Sequence, residues 1–334
     1  MSEFFIGTNG LSVWASSDRG ETISRLPTTS RMYSGSQVWS LAAHKDRPGR
    51  IYAGTDSGLY EMDQQERIWR RIPFPVENVR LITSLCFCRK NADLIIAGTQ
   101  PAGLIKSEDG GKSWQQLPVP MKPYVTRGFQ DSGNDGDDSP IRHWTRVTAI
   151  VMDCDDPNIF FAGVEIDGAW RTRDGGKTWD KLERGLTNSD LHGLELSYRD
   201  GMRTLHAATG DGVYYSTDDG DAFTQVSLDS PSQYVRTVLA LEGQPGTLLV
   251  TNGDGPPGSW GRLFRSDNEG RSWIEVALPG PVESSLYFIA QDRTDRNLVY
   301  AAATLGQVYR SEDGGRNWRA VGRRLGEIRA LMSV

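Results

Sequence analysis

The sequence predicts an all-β fold, a seven-bladed β-propeller of four-stranded antiparallel blades. Three observations lead to this prediction. A turn motif recurs about every 45 residues, which is typical of repeat architectures. Each copy follows two β-rich segments that are separated by a break at Gly or Asp. The composition, with 37 Gly, 16 Pro and 10 Trp in 334 residues, favours short strands joined by tight turns over a helical protein.

The turn motif is clearest in the segments KSEDGGKSW, RTRDGGKTW and RSEDGGRNW, which begin at Lys106, Arg171 and Arg310. Aligned on their last residue, seven copies end at Ile23, Trp69, Trp114, Trp179, Phe223, Trp273 and Trp318. The second copy, EMDQQERIW, lacks the Ser, Asp and Gly that the others share or replace conservatively. We expect the Asp and Ser side chains to bond backbone N–H groups and Gly to take positive φ. We also expect the aromatic side chains to pack between blades.

A further apolar segment precedes each unit, so that each repeat contains the four strands of a propeller blade. The first repeat lacks this segment, whereas the chain ends with a spare one, EIRALMSV. The C-terminal strand is therefore predicted to complete the first blade and close the ring. The predicted blades are residues 1–27 with 326–334, 36–75, 78–120, 145–185, 189–229, 233–279 and 283–323, with an insertion at 121–144.

Charge, cysteine content and hydropathy restrict the classes of partner. A net charge of −6 disfavours nucleic-acid binding. Cys86 and Cys88 point the same way on one predicted strand, which makes a disulfide between them unfavourable and, with Cys154, suggests a reducing compartment. There is no leader-like N-terminus and no apolar run of membrane-spanning length. We therefore expect a cytoplasmic protein without a membrane partner, and a monomer because the closed ring leaves no free sheet edge.

The S-x-D-x-G-x-x-W pattern resembles the Asp-box or BNR repeat of sialidases, other glycoside hydrolases, sortilin-type receptors and photosystem assembly factors. The resemblance covers the whole chain and implies a propeller. It implies little about function, because in those families the box lies away from the ligand face. The RRIP segment at Arg70–Pro73 is similar to a sialidase element, but it aligns with an ordinary outer strand. Xyloglucanase-like relatives place the substrate between two propellers, whereas this chain contains one.

The candidate site lies where the inner strands approach the top mouth of the central channel. Residues 120–144 and 252–260 are long loops expected on this face, where they could act as lids. Each predicted inner strand contains an apolar residue at an equivalent position. The residues two positions before it are, from blade 1 to blade 7, Arg329, Trp39, Thr83, Thr148, His192, Arg236 and Tyr287. Two positions further back stand Glu327, Gln37, Leu81, Arg146, Asp190, Tyr234 and Ser285. These two tiers are unusually polar and aromatic for inner strands.

Three arginines from different blades predict a positively charged mouth that grips a carboxylate, sulfate or phosphate group. The leading interpretation is binding of an anionic small molecule, glycan or peptide group. The ligand-binding candidates are Arg146, Arg236, Arg329, Trp39, Tyr234, Trp260 and Trp144. The alternative is that each arginine pairs with an acid such as Glu327, Asp190 or Glu77 and only fills the rim.

Two other functions use the same face. His192 with Asp190, Tyr287 and Glu327 could supply acid–base catalysis for a glycosidase-like hydrolase or a lyase. A rim histidine also often serves only as a hydrogen-bonded structural group. A protein-assembly scaffold would use the broad rim instead. The sequence contains no nucleophile elbow, phosphate-binding loop or dinucleotide fingerprint, so no cofactor is predicted.

Metal binding has little support in the sequence. The acidic loop from Asp131 to Asp138 suggests calcium, but Gly133 occupies the third ligand position of an EF-hand loop. A solvated acidic lid and a calcium site both remain open for this loop. The histidines and cysteines show no zinc spacing; they are His44, His143, His192, His206, Cys86, Cys88 and Cys154.

Overall fold

Seven four-stranded antiparallel sheets form the molecule, as a computed structural model of residues 2–74, 79, 81–127 and 141–334 shows. The inner strand of each blade packs against the inner strand of the next. The inner strand of blade 1 packs against those of both blade 7 and blade 2, which closes the ring. The predicted all-β seven-bladed propeller is therefore confirmed. In the described ranges, no helix is long and apolar enough to cross a membrane.

Each of the first three blades runs from an inner strand at the channel to an outer strand at the rim. Blade 1 contains, in that order, Ile328–Ser333, Phe4–Thr8, Val13–Ser16 and Ser24–Arg25. Blade 2 contains Val38–Ala43, Arg50–Thr55, Gly58–Asp63 and Ile68–Ile72, and a 3₁₀ turn at Thr28–Ser30 precedes it. Blade 3 contains Leu81–Cys88, Asn91–Gln100, Leu104–Ser107 and Gln115–Gln116. A two-stranded hairpin, Tyr124–Arg127 with Ile141–Trp144, follows blade 3.

The remaining four blades have the same strand order. Blade 4 contains Val147–Met152, Phe160–Val164, Gly168–Thr172 and Asp180–Leu182. Blade 5 contains Leu191–Arg199, Met202–Thr209, Gly212–Ser216 and Thr224–Val226. Blade 6 contains Tyr234–Ala240, Leu248–Gly253, Gly261–Ser266 and Ile274–Val276. Blade 7 contains Leu286–Gln291, Val299–Ala303, Val308–Ser311 and Arg319–Ala320.

The C-terminal strand closes the ring by pairing antiparallel with the strand Phe4–Thr8, with Ile6 opposite Leu331. The partner strand is itself packed against blade 7, since Phe4 stacks on Tyr300 at 3.9 Å between ring centroids. The buried Asp292 carboxylate accepts a hydrogen bond from the Ser333 hydroxyl at 2.6 Å. The prediction that this strand completes the first blade is confirmed.

The repeated turns have the predicted geometry. In blade 3, the Asp109 carboxylate accepts hydrogen bonds from the Ser113 backbone N–H at 2.8 Å and from the Ser107 hydroxyl at 2.9 Å. Gly111 takes a φ of +92°, which an L side chain rarely adopts, and its N–H donates to Ser107 Oγ at 2.8 Å. The ring of Trp114 packs into a core cluster built from blades 2 and 3. This packing confirms the predicted inter-blade role of the motif aromatic.

A β-bulge interrupts every inner strand at the same level. At each bulge one residue of the inner strand, or two in blade 6, has no partner in the second strand. The side chain of the unpaired residue therefore points in a different direction from that of a regular strand. The skipped residues are Arg329, Trp39, Thr83, Thr148, His192, Arg236 with Thr237, and Tyr287. Small residues such as Gly54 stand opposite, where a Cβ would lie 2.6 Å from the Ile82 carbonyl oxygen. The first set of inner-strand residues predicted from the sequence therefore consists of the residues at these bulges.

Candidate functional site

The bulge residues of all seven blades line a cavity of about 500 Å³ on the axis of the ring. Each is placed by its own inner strand, so neighbouring blades present their side chains at one level. Deeper in the channel the walls become apolar, formed by the shared apolar positions of the inner strands. We call this space the axial cavity.

All three predicted arginines line the axial cavity, but their partners differ. Arg146 donates to the Glu165 carboxylate at 2.7 Å. Arg329 forms an ion pair with Glu327. Among the described residues, no carboxylate lies within salt-bridge distance of Arg236, which contacts the Tyr234 hydroxyl at 3.4 Å. Within the described residues, two of the three arginines are therefore paired with an acid and Arg236 is not.

Trp39 organises the cationic side of the cavity. The Arg146 guanidinium carbon lies 4.9 Å from the Trp39 ring centroid, and that of Arg329 lies 4.5 Å from it. The indole N–H donates to the Gln37 side-chain oxygen at 3.3 Å, which orients the ring. Cation–π attraction in a partly dry site holds both guanidinium groups. Trp39 is thus in contact with the arginines, in addition to any stacking role toward a ligand.

The arginines are close enough to influence one another. Burial lowers the pKa of Arg146, and the charges of Arg236 and Arg329 act in the same direction, against Glu165. Burial likewise lowers the pKa of Arg329, against Glu327. All three remain cationic at neutral pH because an arginine pKa starts above 12. Gathering like charges in one cavity costs free energy that a bound negative group would offset.

His192 ties two blades together. In blades 3, 4 and 5 the bulge side chain donates to a carbonyl of the next blade, Thr83 to Val147 at 2.7 Å, Thr148 to Leu191 at 2.7 Å and His192 to Val235 at 2.6 Å. The second ring nitrogen of His192 lies 3.3 Å from Asp190 Oδ2, so both nitrogens are engaged by the protein. Burial and the Arg236 charge lower the pKa of His192, whereas Asp190 raises it. In this geometry His192 serves to hold the inner strands of blades 5 and 6 together.

The other predicted catalytic residues are also held by protein groups. The Tyr287 side chain is buried, and burial raises its pKa well above the ordinary value for a phenol. The Arg236 guanidinium carbon stands 4.7 Å from the Tyr287 ring centroid, and the Tyr287 and Tyr234 hydroxyls are 3.2 Å apart. Glu327 accepts a hydrogen bond from the Asn9 amide at 2.7 Å besides its ion pair. The geometry therefore presents these groups as supports of the arginines.

Two predicted ligand-binding tryptophans, Trp144 and Trp260, are not among the residues that line the axial cavity. Trp144 ends the hairpin after blade 3 and meets Tyr124 edge-on at 5.9 Å between centroids. Trp260 precedes the third strand of blade 6 and lines a separate cavity beside Pro281. Neither belongs to an inner strand, and the inner strands supply nearly all of the lining of the axial cavity. Glu77 and the loop from Asp131 to Asp138 lie outside the described residues.

Two carboxyl groups at the cavity were not predicted. Glu165 reaches Arg146 from the loop between the second and third strands of blade 4, and no motif signals this role. Glu195 lines the axial cavity one residue beyond the shared apolar position, and burial raises its pKa to about 8. Aligning that position across the blades would have revealed it, since the other six residues there are uncharged. In the described part of the chain, no cluster of three potential metal ligands occurs.

Comparison with known proteins identifies relatives that are similar in sequence and in fold. No protein-family model matches the chain. A xyloglucanase from Paenibacillus sp is 26% identical over 255 residues, which are 65% of this chain but 23% of that protein. The chain therefore spans about a quarter of the length of this curated relative.

Several solved structures have a similar fold. The GH74 xyloglucanase from Xanthomonas campestris superposes with a TM-score of 0.62 at 19% identity, covering 85% of this chain and 45% of that one. YCF48 from Cyanidioschyzon merolae gives 0.58 at 16% identity, covering 87% of each chain. A structure of YCF48 bound to D1 peptide gives 0.52 at 17% identity, covering 82% of this chain and 77% of that one. The chain is a seven-bladed propeller similar to GH74 xyloglucanases and YCF48.

Proposed function

We propose that the axial cavity binds an anionic group, in particular a carboxylate carried by a glycan, a small molecule or a peptide, without chemical turnover. The observation that carries the proposal is Arg236, a cation inside the cavity for which the described residues supply no carboxylate. A guanidinium group in this situation is stabilised by a bidentate carboxylate or phosphate ligand. Arg146 and Arg329, held against Trp39, would complete the recognition of the anion.

The similar proteins support two chemical classes of ligand. The curated relatives are named as xyloglucanases, which favours a glycan, and one YCF48 structure carries a bound peptide. An acidic sugar and a peptide with a free carboxyl terminus both offer the group that Arg236 requires. The resemblance of the repeated turns to the Asp-box repeat agrees with either class. A protein partner held at the rim remains an alternative within this proposal.

Calorimetric titration tests the proposal. The probes are oligogalacturonate, its methyl ester, and a short peptide with a free or amidated C-terminus. We expect binding only of the forms with a free carboxylate, and a loss of about tenfold or more in Arg236→Gln, as for removal of one charged contact. Trp260→Ala is the matched control, because Trp260 lines another cavity. Equal affinity for acid and ester, or for wild type and Arg236→Gln, would contradict the proposal.

A glycoside hydrolase is the second candidate, favoured by the likeness to xyloglucanases. The Glu195 carboxyl has the raised pKa of a general acid and lines the axial cavity. The acids that neighbour the cavity residues, Glu165, Glu327 and Asp190, are engaged by Arg146, Arg329 and His192. Release of reducing ends from xyloglucan that disappears in Glu195→Gln would favour hydrolysis over simple binding.

Cellular location and oligomeric state are also proposals. The three cysteines are free thiols, which supports a reducing cytoplasmic compartment. The outer strand of each blade is only two to five residues long, so the blades offer no long open sheet edge, which supports a monomer. Sedimentation analysis would measure the oligomeric state directly.

A further inference from the structure

A second cluster of cations lies at the other end of the inner strands. The bulges lie near the starts of these strands, whereas Lys45, Arg89 and Arg293 follow their ends in blades 2, 3 and 7. Together with Glu242 and Arg296 they line a cavity of about 490 Å³. This cavity shares Leu41 and Leu85 with the axial cavity, so both open onto one channel. We call it the lower cavity.

The cations of the lower cavity outnumber its acids. Glu242 bridges two of them, with its carboxylate 3.1 Å from Arg89 and 2.7 Å from Arg296. Lys45 pairs at 2.8 Å with Asp46, which is exposed beside the cavity. In the described ranges, no carboxylate lies within salt-bridge distance of Arg293 and its guanidinium makes no hydrogen bond, although the Glu242 charge acts on it from further away. Among the described residues, four positive groups that line the lower cavity are thus balanced by Glu242 in the cavity and Asp46 beside it.

Arg293 is the group on which this imbalance acts most strongly. Arg293 is exposed at the edge of the lower cavity, and partial desolvation by the surrounding protein, together with the charges of Arg296 and Arg89, lowers its pKa, against Glu242. Arg89, Arg293 and Arg296 come from separate positions in two blades, so their approach results from the ring and not from a local charge run. The floor beneath them is apolar, with Leu41, Leu85, Phe87 and Met332 among its residues.

We propose that the lower cavity is a second ligand site, specific for a dianionic group of the phosphate class on a small organic molecule. An excess of two positive charges matches a phosphate dianion better than a single carboxylate, which brings one negative charge. The apolar floor would receive the organic part of the ligand. This site is separate from the axial cavity proposed above and uses none of its charged residues.

The test is titration with inorganic pyrophosphate at low ionic strength, with acetate at matched ionic strength as the monoanion. We expect pyrophosphate to bind and acetate not to compete. Arg293→Ala and Arg89→Ala should each weaken binding by about tenfold, as for loss of a charged contact. Glu242→Gln should tighten it, because the bridging carboxylate competes with the ligand for two arginines. These side chains are solvent-exposed in part, so the fold should survive each change.

The outcomes separate this proposal from the function of the axial cavity. Arg262→Ala is the matched control, because Arg262 lines a separate cavity beside Trp260, and it should leave pyrophosphate affinity unchanged. Pyrophosphate binding that is lost in Arg236→Gln but kept in Arg293→Ala would overturn the lower site and assign the anion to the axial cavity. Absence of pyrophosphate binding to the wild-type protein, or a loss of affinity in Glu242→Gln, would also overturn it. Equal binding of acetate would refute the preference for a dianion.

Discussion

The side chains at the seven bulges occupy one structural position but perform two tasks. In blades 3 to 5 they are hydrogen-bond donors to the next blade, with Thr83, Thr148 and His192 in equivalent roles. In the other blades the position carries a cationic or aromatic side chain, and cation–π contacts join Arg329 to Trp39 and Arg236 to Tyr287 of adjacent blades. The second bulge residue of blade 6, Thr237, also donates to the Tyr287 carbonyl at 2.5 Å. A buried carbonyl without a donor costs free energy, so the first group stabilises the ring that positions the second.

A pair of substitutions tests the structural role of His192. His192→Thr introduces the hydroxyl that blades 3 and 4 use at this position. His192→Val introduces a side chain of nearly the same shape as Thr that has no hydrogen-bond donor. We expect the Val variant to be less stable than the Thr variant by about 1–3 kcal/mol, the cost of leaving the Val235 carbonyl unsatisfied. Denaturant unfolding measures this difference. Equal stability of the two variants would show that the hydrogen bond contributes little.

The turn between the third and outer strands is the element that repeats most faithfully. Its Asp accepts backbone and side-chain hydrogen bonds that are present only in the folded turn. Those from Ser113 hold the pKa of Asp109 at about 2, and those from Thr178 hold the pKa of Asp174 at about 2. In blade 6, Asn268 replaces Asp and still accepts from the Ser272 N–H at 2.9 Å. The turn therefore requires an acceptor and tolerates loss of the charge.

This comparison predicts the acid stability of the turns. A carboxylate whose pKa is lower in the folded than in the unfolded chain stabilises the fold above about pH 4, and this stabilisation is lost as the pH falls through about 2. The double variant Asp109→Asn, Asp174→Asn should keep its fold and show a weaker fall of the melting temperature between pH 4 and pH 2. The corresponding Ala variant should melt lower at every pH, because it removes the acceptor. Parallel pH profiles of wild type and Asn variant would contradict this account.

Closure of the ring is a property of the whole molecule. The strand Ile328–Ser333 is the inner strand of blade 1, yet it is almost a full chain length away from its partner Phe4–Thr8. Without it, buried side chains such as Phe4, Ile6 and Tyr300 would lose part of their cover. Both cavities of the channel also depend on closure, because Arg329 and Met332 of this strand line the axial and the lower cavity.

Removal of residues 325–334 tests closure directly. We expect the shortened chain to melt at a clearly lower temperature or to aggregate, because an unpaired strand and apolar surface are exposed. Adding a synthetic peptide of residues 325–334 should restore the melting temperature by pairing with the open edge. A scrambled peptide of the same composition is the control. Unchanged melting of the shortened chain would show that the ring is stable without its closing strand.

Much of the architecture was predictable because it depends on short-range patterns. The number of blades, the geometry of the turns and the pairing of the last strand follow from a motif that recurs with constant spacing. The tier that contains Arg236 and Trp39 was also found, since it keeps a constant distance from an apolar position. The bulges were not predicted, because an extra residue in a strand depends on the length of its partner and leaves no fixed sequence signal.

The sequence by itself determined a closed seven-bladed ring and the residues that approach its axis. Only the tertiary structure decided which charges are neutralised: Glu165 reaches Arg146, no carboxylate of the described residues reaches Arg236, and Glu242 joins Arg89 to Arg296. The physical reason is that ion pairing depends on distances of a few ångströms between side chains from different blades. Those distances are set by the packing of the ring and not by separation along the chain.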